Sequence, residues 1–470
     1  MRGIWTTDEI REAEGQVLVS LPPGTLMARA ARAIATEAAG LLGFTYGARV
    51  LLLVGGGDNG ADALWAGAEL ARRGVAVQAV AASDRIDSAG LAALQRAGGR
   101  LVELPAVRPP DLIIDGLVGI GATPPLRDRM LALVEYARDR RVLAVDLPSG
   151  IDPNTGAVPG PAIKAERTVT MGGYKLGLLV GAGRVQAGEI SLIDLGLADH
   201  LGPGRLWQLE PADVVVPQPG PSDDKYTRGV VGVVAGSAQY PGAALLCTGA
   251  ARLGGVGAVR YAGQAKDEVV RDYPEVLVTE DVAAAGPVQA WTVGPGLGSA
   301  DDAVSELAAV LRAEVPVVID ADGLNLLAEH RELLEQRVEQ AAPTVLTPHD
   351  REYERLFGAV GEDRVSAARR AAGESGATVL LKGYATVVAG PDGTGYVNPT
   401  GDPALATAGS GDVLAGLIGS LLAAGLEPGR AAATAAYLHG RAAGRARAGG
   451  PVVSGMLVAA LRAVIAEHQR

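Results

Sequence analysis

Residues 406–416 read ATAGSGDVLAG, and the order of residue types in this stretch decides how the surrounding chain is read. Gly409, Ser410 and Gly411 are small enough to let backbone N–H groups converge at the start of a helix, where the macrodipole also favours an anion. Asp412 follows in the first turn. There a carboxylate can take a proton from a hydroxyl while the N–H groups hold the group that the hydroxyl attacks. The plain alternative is a glycine loop before a helix with Asp placed favourably for the dipole, and the stretch alone weighs the two evenly. The apolar run behind it, residues 413–426, contains Gly and Ser and is too short to span a bilayer, so it reads as a buried helix.

Working outward, the same alternation of short apolar runs with helical periodicity fills the chain. Before the stretch, strands are expected at residues 230–235, 256–261, 290–293, 315–320, 344–346, 379–382 and 386–389. Further upstream, residues 8–42 have helical periodicity with a break at Pro22-Pro23-Gly24. Strands at 50–54, 75–81, 112–115 and 143–146 then alternate with helices at 61–73, 87–98 and 127–138. Proline and glycine concentrate at residues 214–224, VVVPQPGPSDD, which reads as a linker. A chain of 470 residues exceeds what one core serves. The expectation is α/β with two doubly wound domains, residues 1–212 and 213–470, each with a mainly parallel sheet.

Composition narrows the partners. A net charge of −11 argues against nucleic acid or an anionic membrane as the main partner. Aromatic stacking platforms are scarce, with 2 Phe and 4 Trp. A single cysteine, Cys247, excludes an intrachain disulfide and a cysteine-clustered metal site. The start, MRGIWTTDEIREAE, lacks the apolar core of a signal peptide, and the expected location is the cytoplasm.

In the first half the chemistry gathers at residues 55–63, GGGDNGADA, after the first buried strand. The spacing of Gly55, Gly57 and Gly60 satisfies GxGxxG, yet Asp58 and Asp62 would repel a pyrophosphate resting on bare N–H groups, and no ribose-binding acid is well placed after the next strand. Carboxylates and an amide in a tight loop suit a hard cation bound through oxygens. Asp115 and Asp146 stand at the C-terminal ends of two further strands, with Ser149 and Gly150 in a turn after the second. Each acid alone most often caps a helix; together with Asn59 they suggest a site.

These residues resemble the NAD(P)H-hydrate epimerase family, whose loop usually reads GxGNNGGDG. The resemblance implies that Asn59, Asp115 and Ser149 bind potassium. It also implies that Asp58, Asn59, Gly60, Ala61 and Asp62, the segment Gly119, Ile120, Gly121, Ala122, Thr123, Pro124 and Pro125, and Asp146 line the pocket for the hydrated nucleotide, with Asp146 as acid/base. Asp58, Ala61 and Ala63 depart from the usual loop.

The second half repeats the logic with other pieces. GVVAGSAQYPGAA at residues 232–244 and VGPGLG at 293–298 are strand exits that leave the backbone open near Ala243, Gly296 and Gly298. In TPHDREYERL, Thr347 is the expected helix cap, with Pro348 at the first helical position and Asp350 completing a capping box; His349 is left near a mouth. Lys382 ends a strand where its ammonium could meet a phosphate or simply be solvated, and Asp320 and Asp322 could help hold magnesium or cap a helix. No Walker-type GxxxxGK[ST] occurs, so phosphate binding falls to the start of the helix at Asp412.

In this order the pieces resemble the nucleotide-dependent NAD(P)H-hydrate dehydratases, a ribokinase-like family, through residues 225–229, 294–298, 347–349, 382–386 and 398–416. The last string departs from NPGMATGGTGD at Asp402, Ala404, Leu405, Ala408 and Ser410 but keeps Gly411-Asp412. The resemblance implies ADP as co-substrate with magnesium, nucleotide contacts from Lys382, Gly383, Tyr384, Ala385, Thr386 and Gly411, and hydrate contacts from Ala243, Gly296, Gly298, His349 and Asp412, with Asp412 catalytic. Fusion in this order resembles the bacterial two-activity repair enzymes. The implied partners are NADH hydrate, NADPH hydrate and ADP, with no nucleic acid and no membrane, in a homo-oligomer. The competing reading is a ribokinase-like small-molecule kinase with a non-catalytic, metabolite-binding N-terminal domain.

Overall fold

Stretches apolar on both faces become central strands, because a parallel sheet covered by helices leaves neither face in water. Arg49–Val54 shows this, with five consecutive buried residues after Arg49. A computed structural model describes residues 1–121 and 123–468; the expectation for Ala122 lies outside the described residues. The chain forms two compact units, residues 3–204 and residues 205–470, the latter including residues 1–2.

The first unit holds a seven-stranded, wholly parallel sheet. Its order is Arg100–Leu101, Ala76–Ala81, Arg49–Val54, Leu112–Gly116, Val142–Val145, Arg167–Met171 and Glu189–Ile193. The order reverses between Arg49–Val54 and Leu112–Gly116, which opens a crevice beyond their C-terminal ends. The helical periodicity over 8–42 resolves into two helices, Thr7–Ser20 and Thr25–Leu42, parted at the expected break, where Pro22-Pro23 cannot continue the first and Gly24 takes φ +81°. The strands Arg167–Met171 and Glu189–Ile193 were not expected, because Arg, Thr and Glu interrupt their apolar pattern.

In the second unit the parallel order is Leu277–Thr279, Ala258–Ala262, Val230–Val234, Ala290–Val293, Val317–Ile319, Thr344–Leu346 and Thr378–Leu381. Val387–Ala389 and Gly395–Val397 continue it antiparallel. The switch point here lies between Val230–Val234 and Ala290–Val293. Ser410–Ala423 passes against this sheet and the helix Pro241–Ala251, and the approach is close: a Cβ on Gly416 would stand 2.1 Å from the carbonyl oxygen of Cys247. Any larger residue there forces the two helices apart.

The unit boundary falls at 204/205, upstream of the expected 212/213. Leu206–Gln208 pairs with Gly395–Val397, and Val214 and Val216 are buried in the second core. The stretch read as a linker therefore begins inside the second unit, since its valines have an apolar surface to cover.

Candidate active sites

Both sites form at the switch points. In the first unit a cavity of about 700 Å³ is lined by Asp58, Asn59, Asp62, Gly119, Ile120, Gly121 and Asp146, with Glu14 from the helix Thr7–Ser20. The helix Asp58–Arg72 starts directly after the glycine loop, so Asp58, Asn59 and Asp62 stand on its first turns. Gly60 and Ala61 are buried and do not line the cavity; Gly60 packs on the backbone of Gly55. Thr123 and Pro125 are exposed and Pro124 is half-buried, and none of the three lines the cavity.

Asp115, fully buried, accepts from Ser149 N and Oγ, both at 2.8 Å, and from Leu117 N at 3.2 Å. Ser149 Oγ accepts from Val118 N at 3.2 Å, and Asn59 donates to Val118 O at 3.0 Å and Val145 O at 2.6 Å. The three residues expected to bind a cation are thus tied into one hydrogen-bonded group around Val118. Burial pushes the Asp115 carboxyl up to about 6 against those bonds, the mark of a buried carboxylate without a cationic partner.

Asp146 follows the strand Val142–Val145 in the left-handed region, at φ +65°. Its Oδ1 is bound by Lys175 Nζ, by Met171 N at 3.2 Å and by Thr170 Oγ1 at 3.3 Å. Burial first, then the charges of Asp146 and Asp58, pushes Asp62 up to about 8. A raised carboxyl pKa favours the protonated folded state, so its contribution to stability is complete below about pH 4 and is lost as pH rises through about 8. Asp62→Asn, which mimics the protonated form, is expected to flatten the fall of the first unit's melting temperature between pH 5 and 9. At about 1.36 kcal/mol per unit, up to roughly 5 kcal/mol is at stake. Parallel melting curves for the two proteins across that range would contradict it.

In the second unit Asp412 lies in the first turn of Ser410–Ala423, behind Gly409, which takes φ +84° as N-cap. A cavity of about 510 Å³ is lined by Asp412, Asp322, Gly296, Ala243 and Tyr240. Gly298 does not line it; its N–H donates to Asp322 Oδ2 at 2.9 Å, holding that carboxylate in place. Ala321, between Asp320 and Asp322, takes φ +51°. Burial first, then Asp320, raises Asp412 to about 7, while Lys382 acts to lower it.

The Lys382 ammonium is not free for a ligand. It binds Asp320 Oδ1 at 2.7 Å and stands 3.6 Å from Glu352 Oε2. A Cβ on Gly411 would be 3.5 Å from Lys382 Nζ and 3.4 Å from Asp320 Oδ2, so this pair lies under the glycine loop. Gly383, Tyr384, Ala385 and Thr386 follow Lys382 without lining the Asp412 cavity; Thr386 Oγ1 bonds Gly383 O at 3.1 Å. The helix cap is His349, not Thr347: His349 Nδ1 accepts from Glu352 N at 3.2 Å and Glu352 Oε2 accepts from His349 N at 2.8 Å. Thr347 is spent on Ile319 O, at 3.2 Å. The capping box uses Glu352, three residues after His349, and Asp350 instead pairs with Arg364.

Sequence reading passed over Glu14, Lys175 and Glu352. Lys175 is a lone charge in the apolar run MGGYKLGLLV at 171–180, which is a usable signal for a buried partner. Glu352 sits at capping-box spacing from His349. Nothing in the local pattern marks Glu14, which reaches the cavity only through tertiary packing.

Two α/β units, each with a cavity at a sheet switch point and carboxylates at its mouth, define a two-domain enzyme acting on small molecules. Residues 231–466 match the family model described as NAD(P)H-hydrate dehydratase, and residues 23–177 that of the YjeF-related protein N-terminus. The chain is 52% identical over 445 residues to the bifunctional NAD(P)H-hydrate repair enzyme of Mycobacterium tuberculosis, covering 92% of each chain. To that of Mycobacterium leprae it is 48% identical over 453 residues, 94% of each. A ribokinase-like superfamily protein from Enterococcus faecalis superposes with a TM-score of 0.50 at 25% identity, over 57% of this chain and 98% of that one. The chain belongs to the family of bifunctional NAD(P)H-hydrate repair enzymes. The fold class expected from sequence is the one observed, and the kinase alternative is not the one the relatives favour.

Proposed function

We propose that this chain returns hydrated NADH and NADPH to use, with residues 3–204 interconverting the R and S hydrates and residues 205–470 dehydrating the S hydrate at the expense of ADP. The products are NAD(P)H, AMP and phosphate. The observation that carries the reading is Asp412 behind Gly409-Ser410-Gly411, facing one cavity with Ala243 and Gly296.

The ring hydroxyl attacks the terminal phosphorus of ADP and its proton passes to Asp412, whose raised pKa of about 7 suits a base at neutral pH. Backbone N–H groups of the glycine loop hold the phosphoryl oxygens, and AMP leaves. The ring C–O bond then breaks, phosphate departs and a neighbouring ring carbon gives up a proton, restoring the double bond. The Lys382–Asp320 pair lies beneath the loop, and the segment 382–386 would contact the nucleotide. Magnesium would be held by the phosphates with Asp322 beside them, and it supplies neutralising charge.

In the first unit Asp146 is the acid/base residue. Asn59, Asp115 and Ser149 fit a potassium ion, because among the described residues the buried Asp115 carboxylate has no cationic partner and all three offer oxygens. The ion supplies a fixed positive charge there.

Incubation of mixed NADH hydrates with ADP and magnesium tests the reading. Recovery of the reduced-nicotinamide absorbance from both epimers is the expected result, and accumulation of a stable phosphate ester would support the kinase instead. Replacing potassium by tetramethylammonium is expected to slow recovery from the R hydrate far more than from the S hydrate; equal recovery rates would remove the cation assignment.

A further inference from the structure

Lys175 is 1% exposed, and all three of its ammonium protons have acceptors. These are Asp146 Oδ1, Thr170 Oγ1 at 3.1 Å and Met171 O at 2.6 Å. Its strand, Tyr174–Lys175, pairs in parallel with Ile4 and Trp5, with Lys175 opposite Trp5, so the lysine backbone is held in a sheet register. Thr170, Met171 and Lys175 together saturate one oxygen of Asp146. The other, Oδ2, makes no hydrogen bond among the described residues, and Asp146 lines the cavity.

The charges facing this pair come from every element around it. Glu14 and Arg11 stand on the helix Thr7–Ser20, and Asp58 and Asp62 on the helix Asp58–Arg72. Lys175 is the one ammonium set among the carboxylates of Glu14, Asp58, Asp62 and Asp146 in the described residues. A buried ion pair rarely adds much net stability over an apolar pair, whereas it fixes geometry well. Asp146 itself sits at a strained φ of +65°, a cost that persists where surrounding contacts over-determine the conformation.

We propose that Lys175 is a positioning residue for epimerisation: with Thr170 and Met171 N it clamps Oδ1 of Asp146 so that Oδ2 is presented to the hydrate. This rests on the reading of residues 3–204 as the epimerase. The ammonium is too deep, and too fully bonded, to meet substrate. It acts through Asp146 alone.

The test uses the full chain, in which dehydration of the S hydrate by the other unit is an internal control. Lys175→Met and Lys175→Gln are compared with wild type, Asp146→Asn and the double variant Lys175→Met/Asp146→Asn, following R-to-S conversion, S-hydrate dehydration and melting. The expected result is a fall in kcat for epimerisation of roughly 10- to 1000-fold in Lys175→Met, with KM changed far less and dehydration unchanged. Lys175→Gln, which keeps a donor without the charge, falls between it and wild type. The double variant is no slower than Asp146→Asn, because residues acting as one unit are not additive.

Epimerisation near the wild-type rate in Lys175→Met, or a loss that multiplies fully with that of Asp146→Asn, would overturn the proposal. If Lys175→Met melts early, the kcat and KM of folded Lys175→Gln decide: a kcat equal to wild type overturns it. Failure of the underlying reading shows differently, as a wild-type chain that converts R to S no faster than buffer does.

Discussion

Asp412→Asn is expected to slow dehydration roughly 100- to 10,000-fold, the usual loss when a general base is removed. The substitution keeps the size of the side chain and its place in the first turn of Ser410–Ala423. Phosphate binding is expected to change much less, since it rests on backbone N–H groups that the substitution leaves in place. If Asp412 served only the helix dipole, Asn would cost stability of about 1 kcal/mol or less and turnover would survive. Dehydration rate, nucleotide affinity and melting temperature measured on this one variant separate the two. In the wild type the rate should rise with pH through about 7, the region to which burial and Asp320 push the carboxyl, because only the ionised form accepts the proton. A wild-type rate flat from pH 5 to 9 would remove Asp412 as the titrating base.

Lys382→Met is expected to destabilise the second unit by about 3–5 kcal/mol, the range for removing one partner of a buried ion pair. Asp320 and Glu352, with side chains 2% and 7% exposed, would lose their cation. Both carboxylates would then remain buried near Asp412. Since Lys382 acts to lower the Asp412 pKa, the rise of dehydration rate with pH should also move to higher pH in any folded fraction. Lys382→Met/Asp320→Asn removes one of the two uncompensated charges and should recover part of the lost melting temperature. A single variant as stable as wild type would mean that the ammonium is compensated by solvent, its side chain being 20% exposed, and not by the buried acids.

The alternation of apolar runs with helical periodicity was enough to read two doubly wound units, because strands buried on both faces and helices with one apolar stripe leave a periodic record. The glycine loops were equally legible. Gly409 needs a left-handed backbone, and few residues other than glycine take it without strain. The acids at strand ends, Asp115 and Asp146, were found for a related reason: in such sheets the loops after the strands form the crevice.

Local pattern could not say which of those acids stands alone and which is paired. Lys382 looks from sequence like a hand extended to a phosphate, yet it is held by Asp320, 62 positions away. Asp146 gives no sign of Lys175, 29 positions on, and Glu14 enters the first cavity only because the helix Thr7–Ser20 packs there. The same holds for the boundary at 204/205, where Leu206–Gln208 is drawn into the second unit by pairing with Gly395–Val397. Secondary structure and the position of each acid on its strand follow from neighbours in the chain and so are written in the sequence. Charge pairing, burial and the resulting shifts in Asp62, Asp115 and Asp412 depend on residues that meet only after folding, and tertiary structure alone decided them.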